Sequence, residues 1–180
     1  MGQHILKVAA FDLGVNFSIF RAGITDKGVI EPLSCNTWSL TGNDEDRYTE
    51  FHQIIIAAVS WADAVAYEHV QFNRGKSLIE GFRSVLIVEC AQKDIFCAGV
   101  NVATLKKFAI KGRWPDTKDR EKKGKKKIEG KKKMELALAF DYPEFIDKID
   151  LYLKDKKKGR DDVIDAAWVS IWLLSKVDLL

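Results

Sequence analysis

The chain has 180 residues, of which 47% are hydrophobic and 31% charged, which favours one globular domain and excludes a disordered, collagen-like or repeat protein. Every apolar run is shorter than the roughly 18 residues that a membrane helix needs, so we expect no membrane partner. The net charge of +3 is unevenly distributed. Residues 104–133, the basic stretch, carry +10, and the other 150 residues carry −7. This distribution predicts a polyanionic partner for the basic stretch.

The cysteines give an expectation about location. Cys35, Cys90 and Cys97 are odd in number and form no CxxC pair, which argues against a disulfide framework and against a zinc site. Because free thiols fit a reducing compartment, we expect a cytoplasmic protein.

Three strands are predicted at the start of the chain, at residues 5–12, 17–23 and 29–38. The first is an apolar run that ends in Asp12 and opens into a turn, and the second follows after only four residues, as in a hairpin. Pro32 predicts that the third strand lies at an edge of the sheet or contains a bulge, because proline cannot donate to a strand ladder.

Helices and strands alternate in the middle of the chain. Thr41 or Asn43 can cap a helix with an acidic first turn, and this helix precedes a central strand at residues 64–70. Glu68 lies at the carboxyl end of that apolar strand. A second helix is predicted over residues 77–96.

The second half of the chain contains the basic stretch. A strand at 98–104 leads into residues 111–133, a lysine-rich segment that we interpret as a mobile insertion which a ligand could order. A helix begins at Met134, residues 141–160 form an irregular amphipathic connection, and a last helix covers 161–177. This order predicts a single α/β domain, in which a mixed five-stranded sheet with an antiparallel three-strand start has helices on both faces.

Four carboxylates lie where an acidic side chain is costly. Asp12 and Glu68 end apolar strands, whereas Asp162 and Asp165 are three residues apart and share one face of the last helix. A buried carboxylate is unfavourable unless it is paired or binds a metal, and converging carboxylates repel each other unless a hard cation lies between them. Such oxygen ligands suit Mg²⁺ or Mn²⁺, and two ions can activate a water and stabilise the leaving oxygen of a phosphodiester.

Each carboxylate also has a purely structural interpretation. Asp12 can form a turn, and Glu68 can be a surface acid at a strand end. Asp161 and Asp162 can stabilise a helix N-terminus through its dipole. Asp165 fits this interpretation poorly, because the helix becomes strongly apolar directly after it. Together, and beside a basic stretch, the four acids favour a metal-dependent nuclease.

Four segments in chain order carry a family resemblance: FDLG in the first strand, AYEHVQFN in the central strand, TLKKFAIKG before the basic insertion and DDVIDA in the last helix. This ordered set resembles the RuvC-type Holliday junction resolvases, and the compact length and lysine insertion are similar to those of phage and viral members. The resemblance implies a ribonuclease H-like fold, a homodimer, and paired nicks across a four-way DNA junction. It further implies two Mg²⁺ ions per active site, with Mn²⁺ as a substitute, and a bacterial or phage-infected host cytoplasm.

The resemblance also assigns the metal ligands. Asp12 matches the ligand of the first strand, and Glu68 matches the second ligand. Asp162 and Asp165 match the two acids of the last helix, which leaves Asp161 as a neighbour or a substitute.

Two active-site lysines are implied as well. Lys106 or Lys107 follows the fifth strand, and we expect Lys107 to be the catalytic one. Lys131 opens the next helix and is the expected second catalytic lysine, with Lys132 and Lys133 as competitors.

DNA contacts are expected around these lysines and after the central strand. Many family members place an aromatic residue directly after the E-x-V segment, whereas here Gln71 precedes Phe72, so Phe72 and Arg74 are expected contacts without a direct match. The other expected DNA contacts are Lys106, Lys107, Lys111, Arg113, Lys131 and Lys132. The basic insertion can also be a solvated linker, whereas a role in DNA binding predicts an affinity that falls steeply with salt.

One side of the helix over 77–96 carries Phe82, Val85, Leu86 and Cys90. The resemblance makes this helix a dimer contact. A core face packed on the sheet explains the same residues equally well.

The leading hypothesis is a junction-resolving endonuclease. One alternative keeps the fold and changes the substrate to RNA–DNA hybrids or other branched DNA. The other alternative is a non-catalytic DNA-binding module, in which the acids cap helices and form turns. Cleavage that requires Mg²⁺ excludes this module, and a comparison of junction, fork and hybrid separates the substrates.

Overall fold

A mixed sheet with strand order β3-β2-β1-β4-β5 forms the centre of the computed structural model, which describes residues 4–69, 77–110, 130–154 and 159–176. The strands are β1 (His4–Asp12), β2 (Asn16–Thr25), β3 (Ile30–Ser39), β4 (Ala64–His69) and β5 (Phe96–Asn101). The first three strands pair antiparallel, β4 runs parallel to β1, and β5 runs parallel to β4. The predicted mixed five-stranded sheet with an antiparallel start is therefore confirmed.

Strand β3 lies at one edge of the sheet and contains a bulge. Arg21 pairs with Ser34 and the next residue of β2, Ala22, pairs with Pro32, so that Leu33 is an extra residue in β3. An edge and a bulge are the two places where a strand tolerates proline, which has no N–H to donate. Both forms of the prediction made from Pro32 are correct.

Helices cover both faces of this sheet. They are α1 (Asp44–Trp61), α2 (Ser77–Gln92), α3 (Val102–Ile110), α4 (Gly130–Asp141), α5 (Pro143–Leu153) and α6 (Arg160–Leu174). Asn43 caps α1 in a capping box, because its side chain accepts from the Asp46 N–H and the Asp46 carboxylate accepts from the Asn43 N–H. Among the described residues, no helix is both long enough and apolar enough to span a membrane.

Several predicted boundaries were wrong. The last helix, expected over 161–177, ends at Leu174. The strand expected at 98–104 ends at Asn101, whose side chain accepts a hydrogen bond from the Ala103 N–H at the start of α3. Helix α2 ends at Gln92 instead of residue 96, just before Asp94 takes a left-handed φ of 55°. Helix α4 begins at Gly130, four residues before the expected start, so the end of the basic segment is helical.

The irregular connection predicted over 141–160 was also wrong, because most of it is helix α5. Pro143 occupies the first turn of this helix, where its missing N–H costs nothing. Phe145, Ile149 and Leu153 are buried at helical spacing, and Phe20 stacks on Phe145 at a centroid distance of 5.2 Å. Helix α5 therefore covers the antiparallel part of the sheet.

The alternation of side chains along each strand divides the core into two layers. Val8 and Ala10 of β1 pack with α3, α4, α5 and α6, whereas Ala9 and Phe11 pack with α1 and α2. We call the first of these the α6 face and the second the α1 face. Trp168 of α6 is fully buried on the α6 face, and its Nε1 donates to the Met134 carbonyl at 3.0 Å.

The apolar side of α2 belongs to the α1-face core. Phe82, Leu86 and Cys90 are fully buried there, and Val85 packs partly buried against them. The core interpretation of these residues is therefore correct. The outer surface of α2 instead exposes Ile87 and Val88, by 40% and 53%.

Candidate metal centre

Strands β1 and β4 bring Asp12 and Glu68 side by side. The two strands are parallel and in register from Val8 with Ala64 to Phe11 with Tyr67, so Asp12 and Glu68 follow at the same edge of the sheet. Because successive side chains alternate, both acids point to the α6 face.

Helix α6 adds a third carboxylate. Carboxylate oxygens of Asp12, Glu68 and Asp165 lie within 4.8 Å of one another, and all three residues are half-buried. Asp162 lies one turn earlier and is also half-buried, whereas Asp161 is exposed. The three-residue spacing thus turns Asp162 and Asp165 towards the sheet, while Asp161 faces solvent.

Burial and the other carboxylates of this cluster raise the pKa of Asp12. The pKa of Asp12 is raised from 3.8 to about 9, mainly by burial and then by the nearby charges of Glu68, Asp165 and Asp162 in that order. The Asp12 carboxyl is also hydrogen-bonded to Glu68. Such a cluster keeps a proton at neutral pH unless a cation replaces it.

The donor set fits a hard divalent cation. Asp12, Glu68 and Asp165 offer only oxygen ligands, which suit Mg²⁺ and Mn²⁺ and do not favour zinc. Within the described parts of the chain, this is the one group of three carboxylate, imidazole or thiol side chains close enough to share a metal ion. His69 follows Glu68 but lies on the opposite side, where Arg83 Nη1 donates to its Nε2 at 2.8 Å.

Basic residues lie on the helices that flank the cluster. Lys106 and Lys107 are exposed on α3, which begins at the same sheet edge as the carboxylates. In α4, Lys132 is exposed and Lys133 is only 8% exposed. Lys131 lies in the first turn of α4, and its side chain is not described.

Several predicted DNA contacts lie outside the described residues. These are Phe72, Arg74, Lys111 and Arg113, together with the part of the basic insertion up to residue 129. Their expected roles stay predictions.

Sequence reasoning missed Ser18 and did not favour Lys133. Ser18 is fully buried in β2, directly opposite Asp12. The signal was present in the strand FSIFRAG, in which a hydroxyl precedes the apolar Phe20 and Ala22 on the same side of the sheet. Only the register of the hairpin shows that this hydroxyl lies beside Asp12.

Comparison with solved structures defines the fold family. A structure of Thermus thermophilus RuvC in complex with a Holliday junction substrate has a TM-score of 0.61, with 13% identity, over 92% of this chain and 91% of that chain. The chain has a RuvC-type fold. A second T. thermophilus RuvC structure has a TM-score of 0.59 with 13% identity, over 96% of this chain and 97% of that one.

The chain is also similar to the crystal structure of the yeast mitochondrial Holliday junction resolvase Ydc2, with a TM-score of 0.61 and 14% identity, over 96% of this chain and 81% of that chain. No protein-family model matches the sequence, and no curated protein does. The ribonuclease H-like α/β fold that the four short motifs predicted is therefore confirmed by three-dimensional structure.

Proposed function

We propose that this protein is a divalent-metal-dependent endonuclease that resolves four-way DNA junctions by paired nicks. The observation that carries the proposal is the convergence of Asp12, Glu68 and Asp165 at one edge of a RuvC-type sheet. The RuvC structure in complex with a Holliday junction substrate supports branched DNA as the substrate class.

Asp12, Glu68 and Asp165, with Asp162 beside them, would hold Mg²⁺, in two ions per site, with Mn²⁺ able to substitute. When bound, these ions supply an activated water and stabilise the leaving oxygen of the phosphodiester. The protein contributes rigidity, because Asp12 and Glu68 come from adjacent central strands and Asp165 from a helix whose following residues are buried. Partial burial of the carboxylates strengthens their interaction with a cation.

The basic residues would bind and orient the DNA backbone. Lys107 and Lys131 are the proposed catalytic lysines, which would stabilise charge on the scissile phosphate. Buried Lys133 joins them as a candidate, because a lysine is rarely buried without a role for its charge. Phosphate and junction-shape contacts would come from Phe72, Arg74, Lys106, Lys111, Arg113 and Lys132.

Two nicks in one junction require two active sites, so we propose that the protein is a homodimer. We also propose that it acts in the cytoplasm, as expected from its free cysteines. Ile87 and Val88 on α2 and the 38%-exposed Ile56 on α1 supply apolar surface for a second copy. This surface lies on the α1 face, behind the sheet from the carboxylates. The site of each copy would therefore stay open to DNA.

Cleavage of a synthetic four-way junction tests the proposal. With Mg²⁺, the wild type should cut two strands symmetrically. Asp12→Asn should lose about 100-fold or more in rate, because removal of a ligand should cost at least as much as the roughly 10- to 100-fold that loss of an outer-shell partner typically costs. Asp26→Asn is the matched control, since Asp26 is exposed in the turn at the other end of β2. Undiminished cutting by Asp12→Asn would overturn the metal-ligand assignment.

The same assay separates the substrates. A fork or an RNA–DNA hybrid that is cut faster than the junction would support the ribonuclease H-like alternative. Binding that is indifferent to Mg²⁺, with no cleavage by any metal, would support the non-catalytic module.

A further inference from the structure

Ser18 is a neighbour of the candidate metal centre on strand β2. Its register partner across the antiparallel β1–β2 pair is Asp12. Directly opposite residues in such a pair point to the same side, with their Cβ atoms about 5 Å apart. Phe20 and Ala22, which follow Ser18 at the strand period, pack on the α6 face, so Ser18 points to the same face as the carboxylates.

The Ser18 side chain is fully buried, and its Oγ makes no hydrogen bond to any residue that the structure describes. Three other buried polar side chains have partners. The Thr25 Oγ1 accepts from the Val29 N–H, the Ser170 Oγ donates to the Ala167 carbonyl, and Glu89 contacts His52 and Lys93.

An unpaired buried hydroxyl destabilises the folded state, and alanine would fill the same space without that cost. Folding alone therefore gives no reason for a serine at this position. A hydrogen bond that the serine makes only when a cation occupies the neighbouring carboxylate site does give such a reason.

We propose that Ser18 is a positioning residue of the cation site, whose hydroxyl donates to the Asp12 carboxylate when that carboxylate holds a divalent cation. Groups that ligate metals are commonly fixed by an outer hydrogen bond, which sets the direction of the ligating oxygen. In this structure the Asp12 carboxyl is instead hydrogen-bonded to Glu68 on β4. Ser18 is the hydroxyl on the opposite side of Asp12, on β2. The inference rests on the proposed cation site and adds to it the group that orients its central ligand.

The test is Mn²⁺ binding to the full chain, measured by isothermal titration calorimetry without DNA. Ser18→Ala should weaken the Mn²⁺ affinity about tenfold, at the lower end of what losing an outer-shell partner costs. Ser18→Thr retains the hydroxyl and should keep the affinity within about threefold of wild type. In EDTA, Ser18→Ala should melt at the same temperature as wild type or higher, since it removes an unpaired group.

Ser170→Ala is the matched control, because Ser170 is equally buried on the α6 face but already has a hydrogen-bond partner. It should melt lower than wild type and bind Mn²⁺ with unchanged affinity. Wild-type affinity in Ser18→Ala would overturn the role of Ser18 and leave the cation site standing. If Ser18→Ala did not fold, Ser18→Thr would decide the question. Weak Mn²⁺ binding by this variant, which retains the hydroxyl, would overturn the role of Ser18. A wild type that does not bind Mn²⁺ would refute the cation site and the role of Ser18 together.

Discussion

Replacing Asp12 with asparagine should stabilise the metal-free protein, although we expect the same change to remove the proposed activity. The folded pKa of Asp12 is about 9 and its ordinary value is 3.8, so between these values the folded state binds more protons than the unfolded state. The contribution of Asp12 to stability is therefore most favourable below about pH 4 and falls as the pH rises towards 9. Each pH unit in this window costs roughly 1.4 kcal/mol, which amounts to about 4 kcal/mol at pH 7. Asparagine imitates the protonated acid and does not pay this cost.

Urea unfolding in EDTA measures the effect. The free energy of unfolding of Asp12→Asn should exceed that of wild type by less than about 2 kcal/mol at pH 5 and by up to about 4 kcal/mol at pH 7. Saturating Mn²⁺ should reverse the order, because it binds the folded wild type and stabilises it by mass action. Asp26→Asn should follow the wild type at every pH. A variant no more stable than wild type at pH 7, or a gain that does not grow with pH, would refute the electrostatic reasoning.

Two further predictions concern the α1 face. Val88→Glu should convert the proposed dimer to a monomer in sedimentation velocity and keep the Mn²⁺ affinity of the wild type. Leu151→Glu makes the same kind of change at a 65%-exposed site on α5 and should leave the dimer intact. A monomeric wild type would refute the homodimer. Gly81→Ala should lose about 1–3 kcal/mol in urea unfolding, because a Cβ at Gly81 would lie 2.5 Å from Cζ of Tyr48. Exposed Ser84→Ala on the same helix should change stability by less than about 0.5 kcal/mol, and an unaffected Gly81→Ala would show that Tyr48 moves freely.

The sequence was most informative where local chemistry conflicts with its surroundings. Asp12 and Glu68 interrupt or end apolar strands, and Asp165 precedes a strongly apolar helix, so each could be recognised without knowing the fold. Ser18 could not, because one small polar residue in a strand is common. Its meaning comes from the register that sets it opposite Asp12.

The missed helices have a similar explanation. Val102 and Thr104 at the start of α3 are β-branched and favour a longer β5 in the sequence, whereas in the structure the turn made by Asn101 separates α3 from that strand. In α5, the helical spacing of Phe145, Ile149 and Leu153 becomes clear when these residues are seen to pack on the apolar face of β2 and β3. In the sequence alone, Pro143 and the mixed charges around it obscure that period.

The bulge at Pro32 has a consequence for how copies of this chain can associate. A proline, an extra residue and a locally stronger twist make β3 unsuitable for edge-to-edge pairing with a strand from another molecule. At the other edge, β5 has only six residues, a length that also discourages such pairing. A sheet running continuously through two molecules is thus disfavoured at both ends. Association through helix surfaces, which leaves both sheets separate, is the arrangement that these edges permit, and the same edges protect the protein against aggregation by strand addition.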